Sequence, residues 1–445
     1  MNRKKIAFLA TASLVLGLMA VGCAAKPSGG EGGGGGGSSK DADLTYWCPS
    51  VDNTVMETLV ANFKASNADY ADLKIERAAN WGEGETSAQL IKDIDSAADV
   101  MLMADDNIRA CVASEALAPL TEADVTKYTT EAGAGAVEAL SIDDELYGIP
   151  YRADNSPMPF YDKTLFSGEN ASKLNSLEGM LEVAKANNKK VYLDMGNGWY
   201  NPFMFWSAGG DFGIHKESNG TLTIATNFGN QNDQTKARRA EIAKVLEATK
   251  ALYNKYQDEW VISSEDSLIE AGFKDNEIAV AFLWNDIAAL QKANANVSVT
   301  KWPTLTVGDK ALPLHCFQSY KAIVCKNGAD EERVDLALEF GRFLASPEAQ
   351  RLRATSLSYG PANLSVAAEF NAETLPFSTA ITQMANAGLT HSQAIRTTSD
   401  FWTPIGNLGG LVTDKTATWG TYGTADRAIQ NMLSSAGWNL TAIYD

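Results

Sequence analysis

Two periodicities alternate along most of this chain. Leu44-Thr45-Tyr46-Trp47-Cys48 is a short apolar and aromatic run that predicts a strand. Asp52 or Asn53 then stands where a helix cap belongs, and Val55, Met56, Leu59, Val60 and Phe63 share one face of the helix that follows. A second strand is expected over Asp72 to Glu76, a short helix over Thr86 to Ile94, and a buried strand over Ala98 to Met103. Strand and helix in alternation imply parallel pairing with helices on both faces of a sheet. The pattern restarts in the middle of the chain. Leu177 to Ala186 predicts a helix, Lys190 to Asp194 a strand, Thr235 to Tyr256 a long amphipathic helix, Ser267 to Phe273 a short helix and Glu277 to Leu283 a strand. Ser346-Pro347-Glu348 is a helix start, with serine as cap, proline at the first position and an acid in the first turn. A second α/β unit therefore follows the first.

The first 43 residues depart from this pattern. Arg3, Lys4 and Lys5 precede an apolar run from Ile6 to Val21 that ends in Ala20-Val21-Gly22-Cys23. A basic start, a short apolar core and small residues before a cleavage point describe a secretory signal over residues 1–22. The run is short for a bilayer span, which takes about 20 apolar residues. The cysteine after small residues resembles a bacterial lipobox, with Ala20 where that pattern usually carries leucine. Residues 23–43 are rich in glycine and serine, including Gly32 to Gly37, and read as a flexible tether. An acylated Cys23 would anchor the tether, and the tether would let a folded domain reorient.

Charge narrows the ligand classes. The formal net charge is −18, and loss of residues 1–22 would remove three bases and no acid. Such a chain disfavours nucleic acid and phosphorylated ligands and favours neutral or cationic ones. Cys48, Cys111, Cys316 and Cys325 show no metal-ligand or redox spacing, and disulfides and buried thiols both remain open. The three histidines, His215, His315 and His391, lie in no zinc-protease pattern, and no nucleophile elbow, P-loop or dinucleotide fingerprint appears in a strand-to-helix context. A carboxylate pair could serve a glycoside hydrolase, but no pair stands out.

Ten tryptophans are a better lead, because several stand beside turn residues and acids. Trp47 ends a strand, Trp199 and Tyr200 lie in a Gly/Asn/Pro loop, Trp284 follows a strand, and Trp402 follows Phe401. Aromatic faces suit the C–H faces of sugar rings, and carboxylates suit hydroxyls. The alternative for each aromatic is a place in the core.

Several segments, taken in order, resemble the extracellular solute-binding proteins of ABC importers, in their maltose- and oligosaccharide-binding branch. They are LTYWCPSVD with VANFKASN, ADVMLMADDNIRACVASEALAPLT, DDELYGIPYRADNSPMPFYDKTLF, SAGGDFG, SLIEAGFKDNEIAVAFLWNDI and FGRFLASPEAQ. The resemblance implies a periplasmic-binding-protein type II fold of the α/β class, with two lobes, an interlobe cleft and hinge crossings. On that reading 44–152 and about 304–366 form the first lobe, and 153–303 and about 367–445 the second. It implies a monomer that carries a carbohydrate to permease subunits, with no cofactor, no metal and no catalysis. A polyamine is the alternative ligand. Carried over residue by residue, Asp106 matches an acid that holds sugar hydroxyls. Asp154 stands where the family has a longer glutamate. Trp284 and Trp402 fall near stacking aromatics, Trp199 and Tyr200 occupy the aromatic loop of the second lobe, and Trp47 and Asp52 lie at the first strand's end. Asp52 serves equally as a helix cap, Asp106 as a surface acid, Trp402 as interlobe packing, and Asn155 as a cleft residue or a turn cap.

Overall fold

All five residues of the strand Leu44–Cys48 are buried, which places it inside a sheet. In the computed structural model, which describes residues 41–284, 287–393, 401–415 and 419–438, this strand pairs in parallel with Ile75–Asn80 on one side and Val100–Ala104 on the other. The signal segment, Cys23 and most of the tether lie outside the described residues. The helix Asn53–Ser66 buries Val55, Met56, Leu59 and Phe63, four of the five residues expected on its inner face. The second strand starts at Ile75, later than expected, because a short helical turn through Tyr70 is followed by a Leu73 N–H···O=C Tyr70 bond that keeps Asp72 at the surface.

Two distant segments complete the first sheet. Ser319–Cys325 runs antiparallel to Val100–Ala104, and Ile149–Asn155 runs antiparallel to Ser319–Cys325. Helices Glu331–Leu344 and Pro347–Leu357 cover this lobe, the second with Ser346 accepting the Ala349 N–H at 3.3 Å as its cap. The second sheet has the order Trp260–Val261, Lys190–Tyr192, Ile278–Leu283, Met158–Asp162, Val297–Val299. Its first three strands are parallel, and Met158–Asp162 runs against both of its neighbours. The long helix Asp233–Lys255 and the helices Trp402–Val412 and Ala425–Ser435 pack together in this lobe.

Among the described residues the chain passes between the lobes three times. It leaves the first sheet at Asn155 and enters the second at Met158. It returns between Phe317, in the second lobe's core, and Ser319, in the first lobe's sheet. The expected return near residue 304 is therefore too early. Leu305, Leu314, Cys316 and Phe317 are buried in the second lobe's core, and the hairpin Thr304–Val307 and Lys310–Pro313 stays with it. The last passage lies between the helix Leu364–Ala367, which packs on the first lobe, and Pro376–Asn386, whose Phe377, Ile381 and Met384 enter the second core. All four described cysteines are buried free thiols. Burial pushes each of them up to about 12. Among the described residues no helix is long and apolar enough to cross a membrane.

Candidate functional site

Close backbone packing gathers the aromatic residues of the second lobe. Helix Trp402–Val412 lies directly on the 195–198 turn. A side chain at Gly198 would collide with the Trp402 carbonyl, and one at Gly409 with the Met195 carbonyl. Asn201 secures the contact, its Nδ2 donating to Met195 O at 2.7 Å and Ile405 O at 3.0 Å. As a result the Trp199 and Trp402 rings stack with centroids 3.4 Å apart and planes 18° from parallel. Trp284 meets Trp199 edge-on at 5.5 Å, and Phe317 lies 6.1 Å from Trp199 and 5.5 Å from Trp402. Trp199, Trp284 and Trp402 keep part of their surface exposed, whereas Tyr200 is buried behind Trp284 at 6.4 Å.

The first lobe contributes charge. Asp105 and Asp106 follow the strand Val100–Ala104. Buried Asp105 accepts the Asp106 N–H at 2.8 Å and Gln393 Nε2 at 3.0 Å on Oδ1, and the Tyr320 N–H at 2.9 Å on Oδ2. Burial, reinforced by the Asp106 charge, pushes its pKa up to about 8 against the pull of those donors. Asp106 keeps some surface and accepts Asn107 Nδ2 at 3.0 Å. Burial of its carboxyl raises it to about 6 in spite of nearby Lys321. Asp52 is fully buried and makes no helix-cap hydrogen bond. One of its oxygens accepts the Tyr359 hydroxyl at 3.1 Å, and the other has no partner among the described residues. Burial and the Glu83 charge raise it to about 6. Trp47 is also buried, and its indole N–H has no partner among the described residues.

Beneath these acids a buried ion cluster ties the crossings together. Glu83 accepts the Tyr151 hydroxyl, Arg152 Nη1 at 3.2 Å and Lys321 Nζ at 2.6 Å. Arg152 belongs to the outgoing strand and Lys321 to the returning one. Burial alone would raise the Glu83 pKa, but Lys321 and Arg152 override it and hold the carboxyl at about 2. Asp154 accepts Arg152 Nε at 2.9 Å on one oxygen and the Gly360 N–H at 2.7 Å on the other. Arg152 in turn lies 3.4 Å over the Tyr359 ring. Asp154 is 1% exposed, so its short side chain ties the outgoing strand to the first lobe's Gly360 loop rather than reaching outward. That corrects its expected role as a ligand contact. Asn155 is half-buried and pairs through its backbone with Ser319, next to the hinge.

The structure thus brings Trp199, Trp284 and Trp402 into one surface and sets Tyr200 behind it. Trp47, Asp52 and Asp106 stay on the first lobe, and Asp154 belongs to the crossings. Sequence reasoning missed Asp105, Glu83, Arg152, Lys321, Phe317 and Gln393. The Asp105-Asp106 pair was the one visible signal, since adjacent acids after a buried strand face like-charge repulsion. The others come from four separate stretches of chain. Among the described residues no group of histidine, cysteine, aspartate and glutamate could hold a metal ion.

An aromatic surface thus lies on one lobe and acids on the other, with the crossings between them. The comparisons agree with this architecture. In structure the chain is similar to a maltodextrin-binding protein of L. casei, with TM-score 0.69, 16% identity, and 88% of this chain and 98% of that one covered. It is also similar to the maltotriose-binding protein of Thermus thermophilus (TM-score 0.66, 17% identity, 88% and 98% covered). A third neighbour is the maltose–maltodextrin-binding protein of Alicyclobacillus acidocaldarius (TM-score 0.63, 15% identity, 88% and 99% covered). No curated protein matches the chain in sequence. A family model described as bacterial extracellular solute-binding protein matches residues 58–380, well over half of the chain, and the protein belongs to that family of exported binding proteins.

Proposed function

We propose that this protein captures a carbohydrate between its lobes and hands it to the permease of an ABC importer, without chemical turnover and as a monomer held at the cell surface by lipid on Cys23. The observation that carries the ligand class is the half-exposed surface of Trp199, Trp284 and Trp402. Sugar rings present apolar C–H faces to such a surface, and their hydroxyls then need acceptors at the edge. Asp106 is an acceptor on the facing lobe. Binding to both lobes at once favours the closed state by as much as the ligand prefers it. The solved neighbour from Thermus thermophilus is bound with maltotriose, which supports a sugar of that kind.

Calorimetry with glucose, maltose and maltotriose tests the reading. Saturable heat is expected with at least one of them, and Trp284→Ala should weaken it roughly three- to tenfold, the worth of one aromatic contact. A cationic ligand is the second reading, favoured by the partly exposed carboxyl of Asp106 on the first lobe. Binding of spermidine with no heat from any sugar would replace the first reading by the second.

A further inference from the structure

Ligand capture at the aromatic surface does not use one buried contact across the lobe junction. The short strand Thr390–His391 pairs with Cys316–Phe317 on the second lobe. His391 stacks on Trp206 with centroids 4.2 Å apart and planes 4° from parallel, and its Nε2 lies 2.9 Å from His315 Nδ1. Trp206 and Phe317 both belong to the second lobe's core, so this segment is fastened there. Two residues further on, Gln393 is 1% exposed and donates from Nε2 to Asp105 Oδ1 at 3.0 Å. Asp105 is fastened to the other lobe. It follows a first-lobe strand and holds the Tyr320 N–H at the start of the returning strand.

A second contact crosses the junction nearer the surface, between Lys216 Nζ and Asp143 Oδ2 at 3.6 Å. Both side chains are largely exposed there, and such pairs contribute little. A buried hydrogen bond to an acid contributes more, because breaking it strands polar groups away from water. We propose that Gln393 is an interlobe latch, whose carboxamide ties the second lobe to Asp105 and holds the cleft in its binding-competent arrangement before a ligand arrives.

The choice of residue fits the task. A glutamine donates to Asp105 without adding charge, so the neighbouring Asp106 keeps its capacity to accept from a ligand. A carboxylate in its place would lose the donor to Asp105 and be repelled by the Asp106 charge, and a lysine would neutralise that charge. A latch of this kind raises the fraction of molecules ready to bind, and apparent affinity scales with that fraction.

The latch itself is tested without ligand, by small-angle scattering and hydrogen exchange on the full-length protein. Gln393→Ala should increase the radius of gyration and speed exchange around 316–320 and 390–393, and Gln393→Glu should open the lobes further. The paired exchange Gln393→Glu with Asp105→Asn reverses donor and acceptor across the junction but takes an acceptor from one backbone N–H, so its radius should return part of the way from that of Gln393→Glu alone, which a purely structural role for Gln393 does not predict. If Gln393→Ala fails to fold, Gln393→Asn keeps the amide but falls one methylene short, and the same opening is expected. The second readout rests on the sugar reading. Maltotriose should bind Gln393→Ala roughly three- to tenfold more weakly, the worth of one such bond. An unchanged radius in a well-folded variant, or tighter maltotriose binding, overturns the latch. Failure of wild-type protein to bind any sugar overturns the ligand class, while the scattering comparison still decides the latch.

Discussion

Replacing Glu83 by alanine probes the ion cluster under the cleft most directly. The glutamate is 8% exposed and neutralises Lys321 and Arg152, which sit on two different crossings. Its removal leaves Arg152 with Asp154 but takes from Lys321 its partner at 2.6 Å. The expected cost can be reached in two ways. Taking one partner out of a buried ion pair typically costs about 3–5 kcal/mol, because the other charge stays buried. The fall of the Glu83 pKa from 4.5 to about 2, at about 1.4 kcal/mol per pH unit, corresponds to about 3 kcal/mol. The two agree near 3–4 kcal/mol, a drop in melting temperature of about 4–5 °C for roughly 400 residues unfolding together. Urea unfolding followed by tryptophan fluorescence is the assay, with the midpoint expected to fall at constant slope. The pH dependence carries its own sign. A depressed carboxylate pKa stabilises fully above the unfolded value and loses that effect as pH falls through the folded one. The gap between wild type and Glu83→Ala should therefore close as pH falls from 4.5 towards 2. Removing the stranded cation in Glu83→Ala/Lys321→Ala should recover part of the loss. A single-variant loss below about 1 kcal/mol, or strict additivity of the pair, would refute the cluster's role.

Other consequences are equally direct. Asp154→Ala should destabilise by about 2–4 kcal/mol in urea unfolding, since Arg152 and the Gly360 N–H both lose a buried acceptor. Asp105 holds its proton in the folded state up to about pH 8, so stability should fall as pH rises above the unfolded value near 4. Urea midpoints of Asp105→Asn should flatten that slope most between pH 6 and 8, above the range in which Asp52 and Asp106 titrate. The four described thiols should resist a thiol reagent in native protein and react together on unfolding, since all are buried and held protonated. Rapid labelling of Cys48 in native protein would contradict its burial.

Local pattern carried much of this structure. The strand Leu44–Cys48, the helix Leu177–Ala186 and the serine cap at Ser346 form where their sequence says they should. Each depends on side chains within a few positions of one another, and burial of one helical stripe or one short run is enough to select them. Trp199 and Trp402 were legible as candidates, because aromatics beside glycine and acids are unusual. Their stacking was not, since it needs Gly198 and Gly409 to admit a helix from 200 residues later in the chain. The return of the chain at 317–319 was equally hidden. The 304–313 hairpin could have packed on either lobe, and burial of Leu305 and Leu314 decided which. Asp154 shows the physical limit most plainly. As an acid just past a crossing strand it had the chemistry of a ligand contact, and its neighbours in sequence gave no reason to think otherwise. Only the folded chain brings the Gly360 N–H and the Arg152 guanidinium onto its two oxygens. A carboxylate's role is set by the donors that reach it, and here one of those donors lies 206 positions away.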